Sequence, residues 1–175
     1  MPSDDLHQQA LEETGFWGRQ GAGCLIVAKS TGRILWPKRS KAVLEPGTWG
    51  TWGGAIDPSE QPKKAALREL KEECGYVGKV IIKPLLVFKS GSFSYHNFLT
   101  VVPEEFKPRL DWETEKAEWR KLEDAPKPLH LGLKALLKDP ASLKIIKQYT
   151  NQEHLRPDKT QIQAAFRLQA FCSNL

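Results

Sequence analysis

Three glutamates, Glu69, Glu72 and Glu73, crowd one short stretch of a basic, 175-residue chain. The stretch runs Lys-Lys-Ala-Ala-Leu-Arg-Glu-Leu-Lys-Glu-Glu-Cys over positions 63–74, and its residues are strong helix formers. At about 100° per residue, Ala66, Leu67, Leu70 and Cys74 share an apolar arc. The three glutamates fill the adjoining arc, at spacings of three and four that make their side chains neighbours. Each like-charge pair costs a few tenths of a kcal/mol, roughly, and the helix dipole disfavours anions toward the C-terminal end. A divalent cation would relieve both penalties, and hard carboxylate oxygens suit Mg²⁺ or Mn²⁺. Arg68 precedes Glu72 by one turn and is placed to brace it. The plainer alternative is a solvated Lys/Glu helix surface.

The surrounding sequence must position that helix. Pro62 suits a first helical turn and Gly75 a left-handed stop. Upstream, Ala22–Ala28 is an apolar run that reads as a buried strand. Ser30-Thr-Gly32 is a turn signal and Arg33–Trp36 a returning strand. Residues 37–48 read as a loop, and Thr48–Gly54 as extended chain ending in a glycine pair. Downstream, Val80–Ile82, Leu85–Phe88 and Phe93–Val102 read as strands, with Ser90-Gly-Ser92 as a turn. An acidic loop over 103–116, a last strand at Trp119–Leu122 and a helix at Leu129–Lys138 follow. Helical composition resumes at Pro140 and breaks near Pro157. Strands around a central helix, followed by helices, predict a mixed α/β layered domain.

From Gly54 to Tyr76 the chain resembles the Nudix box. The residues are Gly54-Ala-Ile-Asp-Pro-Ser-Glu60, then seven positions, then Arg68-Glu69-Leu70-Lys71-Glu72-Glu73-Cys74-Gly75-Tyr76. Both spacings and every fixed position match, with Tyr76 aromatic where an aliphatic is usual. Gly53-Gly54 resembles the glycine pair that opens the box, although Trp52 replaces the usual proline. Leu110-Asp-Trp-Glu113, Trp119 and Pro128-Leu-His130-Leu-Gly132 are similar to the family's downstream pattern. The resemblance covers 20–138, leaving an N-terminal arm over 1–19 and a C-terminal helical extension over 139–175.

The resemblance implies an α/β/α sandwich around a mixed sheet and hydrolysis of a nucleoside diphosphate linked to another group. It implies Glu72 and Glu73 as metal ligands, with Glu69 a further ligand or a helper for the attacking water. Arg68 would orient the carboxylates, and Glu60 would brace the loop or join the metal shell through water. The general base would be Glu113, with Glu115 the second candidate; an exposed acidic loop is the alternative for both. Mg²⁺, with Mn²⁺ in reserve, would be the cofactor. Nucleoside triphosphates lead as substrates. No proline follows the box as in sugar-nucleotide hydrolases, and the tyrosine of dinucleoside polyphosphate hydrolases is not at its usual spacing. Triphosphorylated or capped RNA ends are a further reading, and the catalytic pattern of isopentenyl isomerases is missing. A nucleotide-sensing module without catalysis is disfavoured because all four box glutamates are present.

Other residues are candidates for the substrate. Gly53 and Gly54 allow close backbone approach to phosphate. Lys38 and Arg39, with Lys41, form a small basic group. Trp36, Trp49 and Trp52 flank the box, and one of them, with Trp52 foremost, is placed to stack on a base; packing is the competing role. Phe93 and Tyr95 have cross-strand packing as the safer reading, and His96 and His130 read as structural. A net charge of +5 favours an anionic ligand without pointing to nucleic acid. No apolar run approaches a membrane span, and the first residues do not form a signal peptide. Cys24, Cys74 and Cys172 are too few and too scattered for a disulfide framework or zinc site, so they read as reduced thiols in a cytoplasmic monomer or homodimer. Over 157–173, Ile162, Ala165, Phe166 and Ala170 form one face of an expected amphipathic helix.

Overall fold

A computed structural model describes residues 8–151, apart from 10, 14, 16 and 17. The expected tail helix at 157–173 lies outside the described residues. Six strands form one sheet: β1 (Gln20–Ala28), β2 (Ile34–Arg39), β3 (Trp52–Ala55), β4 (Ile81–Ser90), β5 (Phe93–Val102) and β6 (Thr114–Arg120). Helix α1 spans Pro62–Cys74, α2 spans Leu131–Lys138 and α3 spans Pro140–Thr150. The main strand order is β4-β5-β1-β2-β6, and β3 also pairs with β1. β1 and β5 run parallel from Gln20 opposite Ser94 to Ala28 opposite Val102. The other ladders are antiparallel, so the sheet is mixed.

β1 explains this branching. Its first half pairs with β3, from Gly21 opposite Ala55 to Cys24 opposite Trp52, and its second half pairs with β2. Its residues after Gln20 are all buried, as the apolar run requires. Side chains alternate across the pleat. Ala22, Cys24, Ile26, Phe98 and Val102 meet Ala65, Ala66, Leu70 and Cys74 of α1 on one face. Leu25, Val27, Leu99 and Val101 meet Leu133 of α2 and Ile146 of α3 on the other. The result is the α/β/α sandwich. The described start of the expected extension, residues 139–151, packs into it, since Ile146 is fully buried and the Ser142 hydroxyl accepts the Leu86 N–H at 2.8 Å.

The elements differ from expectation at the sheet's margins. The two short runs around Pro84 are one strand, β4, at an edge where a missing N–H is tolerated; its register shifts between Pro84 and Val87. β2 continues through Pro37 to Arg39, into the expected loop, because it pairs with β6. β6 starts at Thr114, not Trp119. As the other edge, it carries Glu115, Lys116 and Glu118, charges that disguise it as loop. Among the described residues no helix is long and apolar enough to cross a membrane.

Candidate active site

α1 is held at both ends. Pro62 begins it, and Gly75 adopts φ 73° with its N–H on the Lys71 carbonyl. The Arg109 N–H donates to the Cys74 carbonyl at 3.0 Å, fastening the 103–113 loop to the C-terminal end of the helix. That bond brings the loop's acidic residues toward the helix glutamates.

The glutamates occupy three different environments. Glu73 is 6% exposed, and its Oε2 accepts the Gly53 N–H at 2.9 Å. Glu69 is 9% exposed and lies against β3, where a Cβ on Gly54 would stand 2.7 Å from its Oε1. Glu72 remains exposed. The helical wheel placed all three on one surface arc, whereas Glu69 and Glu73 are buried, because glycines in β3 leave room for their carboxylates.

Arg68 is the counter-charge. Its Nη1 donates to Glu69 at 2.7 Å and Glu72 at 3.1 Å; its Nη2 donates to Glu60 at 3.0 Å and to the Ala55 carbonyl at 2.9 Å. Its Nε donates to the other Glu60 oxygen at 3.2 Å, and the Asp57 N–H also donates to Glu60. Both oxygens of Glu60 are therefore engaged. Of the two roles expected for Glu60, these contacts match the brace. The Arg68 hydrogen bond holds the Glu60 carboxyl below its ordinary pKa.

Among the described residues Glu73 has no such partner. Burial first, then the charges of Glu69, Glu113 and Asp111, pushes its pKa well up, and the Gly53 N–H offsets this in part. Burial also lifts Glu69 to about 7 against the pull of Arg68. Glu113 is raised by burial and by Asp111, while Arg39 lowers it. Carboxylates from α1 and from the 103–113 loop thus repel across a poorly hydrated space.

That donor set suits a hard divalent cation by its chemistry. As the side chains stand, no three acidic, imidazole or thiol groups among the described residues converge on one point. Arg68 holds Glu72 aside through their 3.1 Å contact, so assembling a ligand set requires side-chain rotation.

The remaining candidates separate. The Glu113 backbone is fixed at both its groups: its N–H bonds Asp111 Oδ1 at 3.0 Å, and its carbonyl accepts the Ser40 N–H at 2.8 Å. Glu115 instead pairs with Lys38 at 3.1 Å on the exposed edge. Arg39 donates through Nε to the Leu44 carbonyl at 2.7 Å. Trp52 cannot stack on a substrate: it is fully buried, with its indole N–H on the Leu35 carbonyl at 3.0 Å. Trp36 and Trp49 are buried as well, and Lys116 lies 5.3 Å from the Trp49 ring centre. Gly53 has a nearer reason to be glycine than phosphate, since a Cβ there would meet the Ala22 carbonyl at 2.2 Å.

Tyr95 lies across the glycines of β1 on the face away from α1. A Cβ on Gly23 would stand 2.0 Å from its hydroxyl, which lies 3.3 Å from Thr51 Oγ1. His130 caps α2, its Nδ1 accepting the Gly132 N–H at 3.2 Å. Burial and Lys89 lower the pKa of His96. Cys24 and Cys74 are buried free thiols, each pushed by burial to about 12. The sequence reading missed Asp111. Its signal was the Asp-x-Glu spacing, in which a short side chain bonds the backbone two residues on.

A model of the NUDIX domain matches residues 17–139. The chain belongs to the Nudix family. Mouse diphosphoinositol polyphosphate phosphohydrolase 3-alpha is 37% identical over 89 residues, which are 48% of this chain and 54% of that one. The ADP-ribose pyrophosphatase of Saccharomyces cerevisiae is 36% identical over 102 residues, 52% of this chain and 44% of that one. The chain thus spans about half the length of these curated relatives. Among solved structures, a MutT NUDIX hydrolase from Burkholderia pseudomallei superposes with a TM-score of 0.56 at 27% identity, covering 70% of this chain and 97% of that one. Together these matches carry the Nudix fold across most of the described residues.

Proposed function

We propose that this Nudix chain is a cytoplasmic hydrolase that cuts a pyrophosphate bond in a nucleoside diphosphate derivative, with nucleoside triphosphates its leading substrates. One observation carries the reading. Glu69 and Glu73 are buried one helical turn apart beside Glu113, and Arg68 contacts Glu69 but not Glu73. Burying carboxylates without matching counter-charge is costly unless something binds them. A helix built only for stability would not retain them.

In this reading Glu69, Glu72 and Glu73 hold Mg²⁺ or Mn²⁺. When bound, such an ion neutralises phosphate charge and lowers the pKa of a coordinated water. Arg68 and Glu60 fix the helix to the turn before it and keep the carboxylates aimed. Glu113 accepts the proton of the attacking water; burial and Asp111, which raise its pKa, make it a stronger base than a solvated carboxylate. Lys38 and Arg39, on the adjoining strand end, attract the polyphosphate.

A second reading comes from the mouse relative, whose name specifies diphosphoinositol polyphosphates. The test is a panel of nucleoside triphosphates, dinucleoside polyphosphates, nucleotide sugars, ADP-ribose, diphosphoinositol polyphosphates and triphosphorylated RNA. Each is assayed with Mg²⁺ and with Mn²⁺ for phosphate and pyrophosphate release. Turnover of a nucleoside triphosphate that disappears on chelation is the expected result. Nucleotide binding with no bond cut on any member would leave only a sensing module.

A further inference from the structure

Trp112 is 67% exposed, immediately before Glu113. The other tryptophans of the sheet are spent on packing: Trp36, Trp49 and Trp52 are buried, and Trp119 is half-buried with its N–H on the Phe106 carbonyl at 2.9 Å. We propose that Trp112 is the residue on which the base of a nucleotide substrate stacks while its phosphates lie at the glutamates. This rests on the nucleotide hydrolase reading above and names the residue that distinguishes a nucleotide from a phosphate chain without a base.

Two structural observations support the assignment. The first is that hydrogen bonds tie down the backbone next to Trp112 while its side chain makes none among the described residues. The Asp111 carboxylate bonds the Glu113 N–H, and the Ser40 N–H bonds the Glu113 carbonyl. The Trp112 indole N–H donates no hydrogen bond among the described residues. A large aromatic ring is thus presented to solvent on a fixed mount, which lowers the entropy lost on binding. A serine or lysine would serve the turn equally well.

The second is that the exposed apolar groups nearby sit on segments that hydrogen bonds join to this one. Ser40 links the Trp112 loop to the β2–β3 connection, which carries Leu44, 50% exposed. Glu45 in turn accepts the Leu131 N–H at 3.4 Å, and Leu131 is 52% exposed. Trp112, Leu44 and Leu131 are therefore exposed apolar groups on segments that hydrogen bonds tie to one another and to the loop carrying Glu113. A ligand matching both these groups and the glutamates has a flat apolar ring at one end and phosphates at the other. An inositol ring, bearing phosphates around its edge, has no flat apolar face to lay on Trp112.

Stacking of a base on an aromatic side chain is worth about 5- to 150-fold in affinity. Steady-state kinetics on the full chain with Mg²⁺ should show that Trp112→Ala raises KM for nucleoside triphosphates by that factor, with kcat little changed. Trp112→Phe should restore most of the loss. Inorganic tripolyphosphate, which has no base, should give the same KM with all three proteins. Equal shifts for nucleotide and tripolyphosphate, or no shift for either, would overturn the assignment. Equilibrium binding of α,β-methylene adenosine and guanosine triphosphates, with Mg²⁺ present, separates this from the hydrolase reading. Selective loss of that binding in Trp112→Ala with no hydrolysis by the wild type would retain the stacking role and refute the enzyme. No binding by the wild type, or equal binding by both proteins, would refute the stacking role.

Discussion

The two faces of the sheet are made from alternate residues of the same strands, yet they carry different loads. Beneath α2 and α3, Leu25, Val27, Trp36, Leu99, Leu133, Leu136 and Ile146 form an apolar layer. Beneath α1 a similar layer of Ala22, Cys24, Ile26, Ala65, Ala66 and Leu70 is interrupted by two buried glutamates. The α2/α3 face supplies cohesion. The α1 face gives up part of its own, through desolvated charge and through glycines that make room for it. Placing ionisable groups on a helix packed against the sheet aims them well, and the opposite face supplies the stability this costs.

That contrast can be broken most forcefully at Glu73. Glu73→Gln should lower turnover by orders of magnitude while the melting temperature holds or rises, because an uncharged amide still accepts the Gly53 N–H. Unchanged turnover would remove Glu73 from the metal site. Glu113→Gln should cost about 10²- to 10⁴-fold in kcat, the usual worth of a general base. If Glu115→Gln costs more than Glu113→Gln, the base has been assigned to the wrong carboxylate.

On the opposite face the signs reverse. Leu136 is fully buried, and Leu136→Ala should destabilise the protein by about 2–5 kcal/mol in denaturant titration. Turnover per folded molecule should stay near wild type. A matching collapse of kcat would mean that the two faces are coupled and that the division of labour is false.

The same division governs what the sequence could disclose. The α1 segment was legible to its ends, because Pro62, the apolar arc and Gly75 are local signals. β1 and β5 were legible because a buried strand must be apolar. β6 was not, since an edge strand carries charge, and Pro84 hid the continuity of β4. At the candidate site, the clustering of the glutamates was legible but their burial was not. A helical wheel ranks residues by angle, and Glu69 and Glu73 are buried by virtue of glycines in another strand. Trp52 misled for the complementary reason: proximity to the motif in sequence put it beside the site, while strand alternation turned it into the α1-side core. Asp111 and Trp112 act through a turn closed by Ser40, about 70 positions away in the chain, a contact that no local pattern encodes.

The finest test of the contrast uses two polar contacts of similar length. Ser142 is 2% exposed and accepts the Leu86 N–H at 2.8 Å, joining α3 to β4. Ser142→Ala leaves that N–H without its acceptor and should cost about 1–3 kcal/mol with no change in kcat. Lys38 and Glu115 pair at 3.1 Å on the exposed edge. Glu115→Gln should cost no more than about 1 kcal/mol, and that small effect should shrink in salt. If the edge pair proved to matter as much as the buried hydroxyl, stability would not be concentrated beneath α2 and α3. Glu115 would then be structural, which would strengthen the assignment of the base to its half-buried neighbour Glu113.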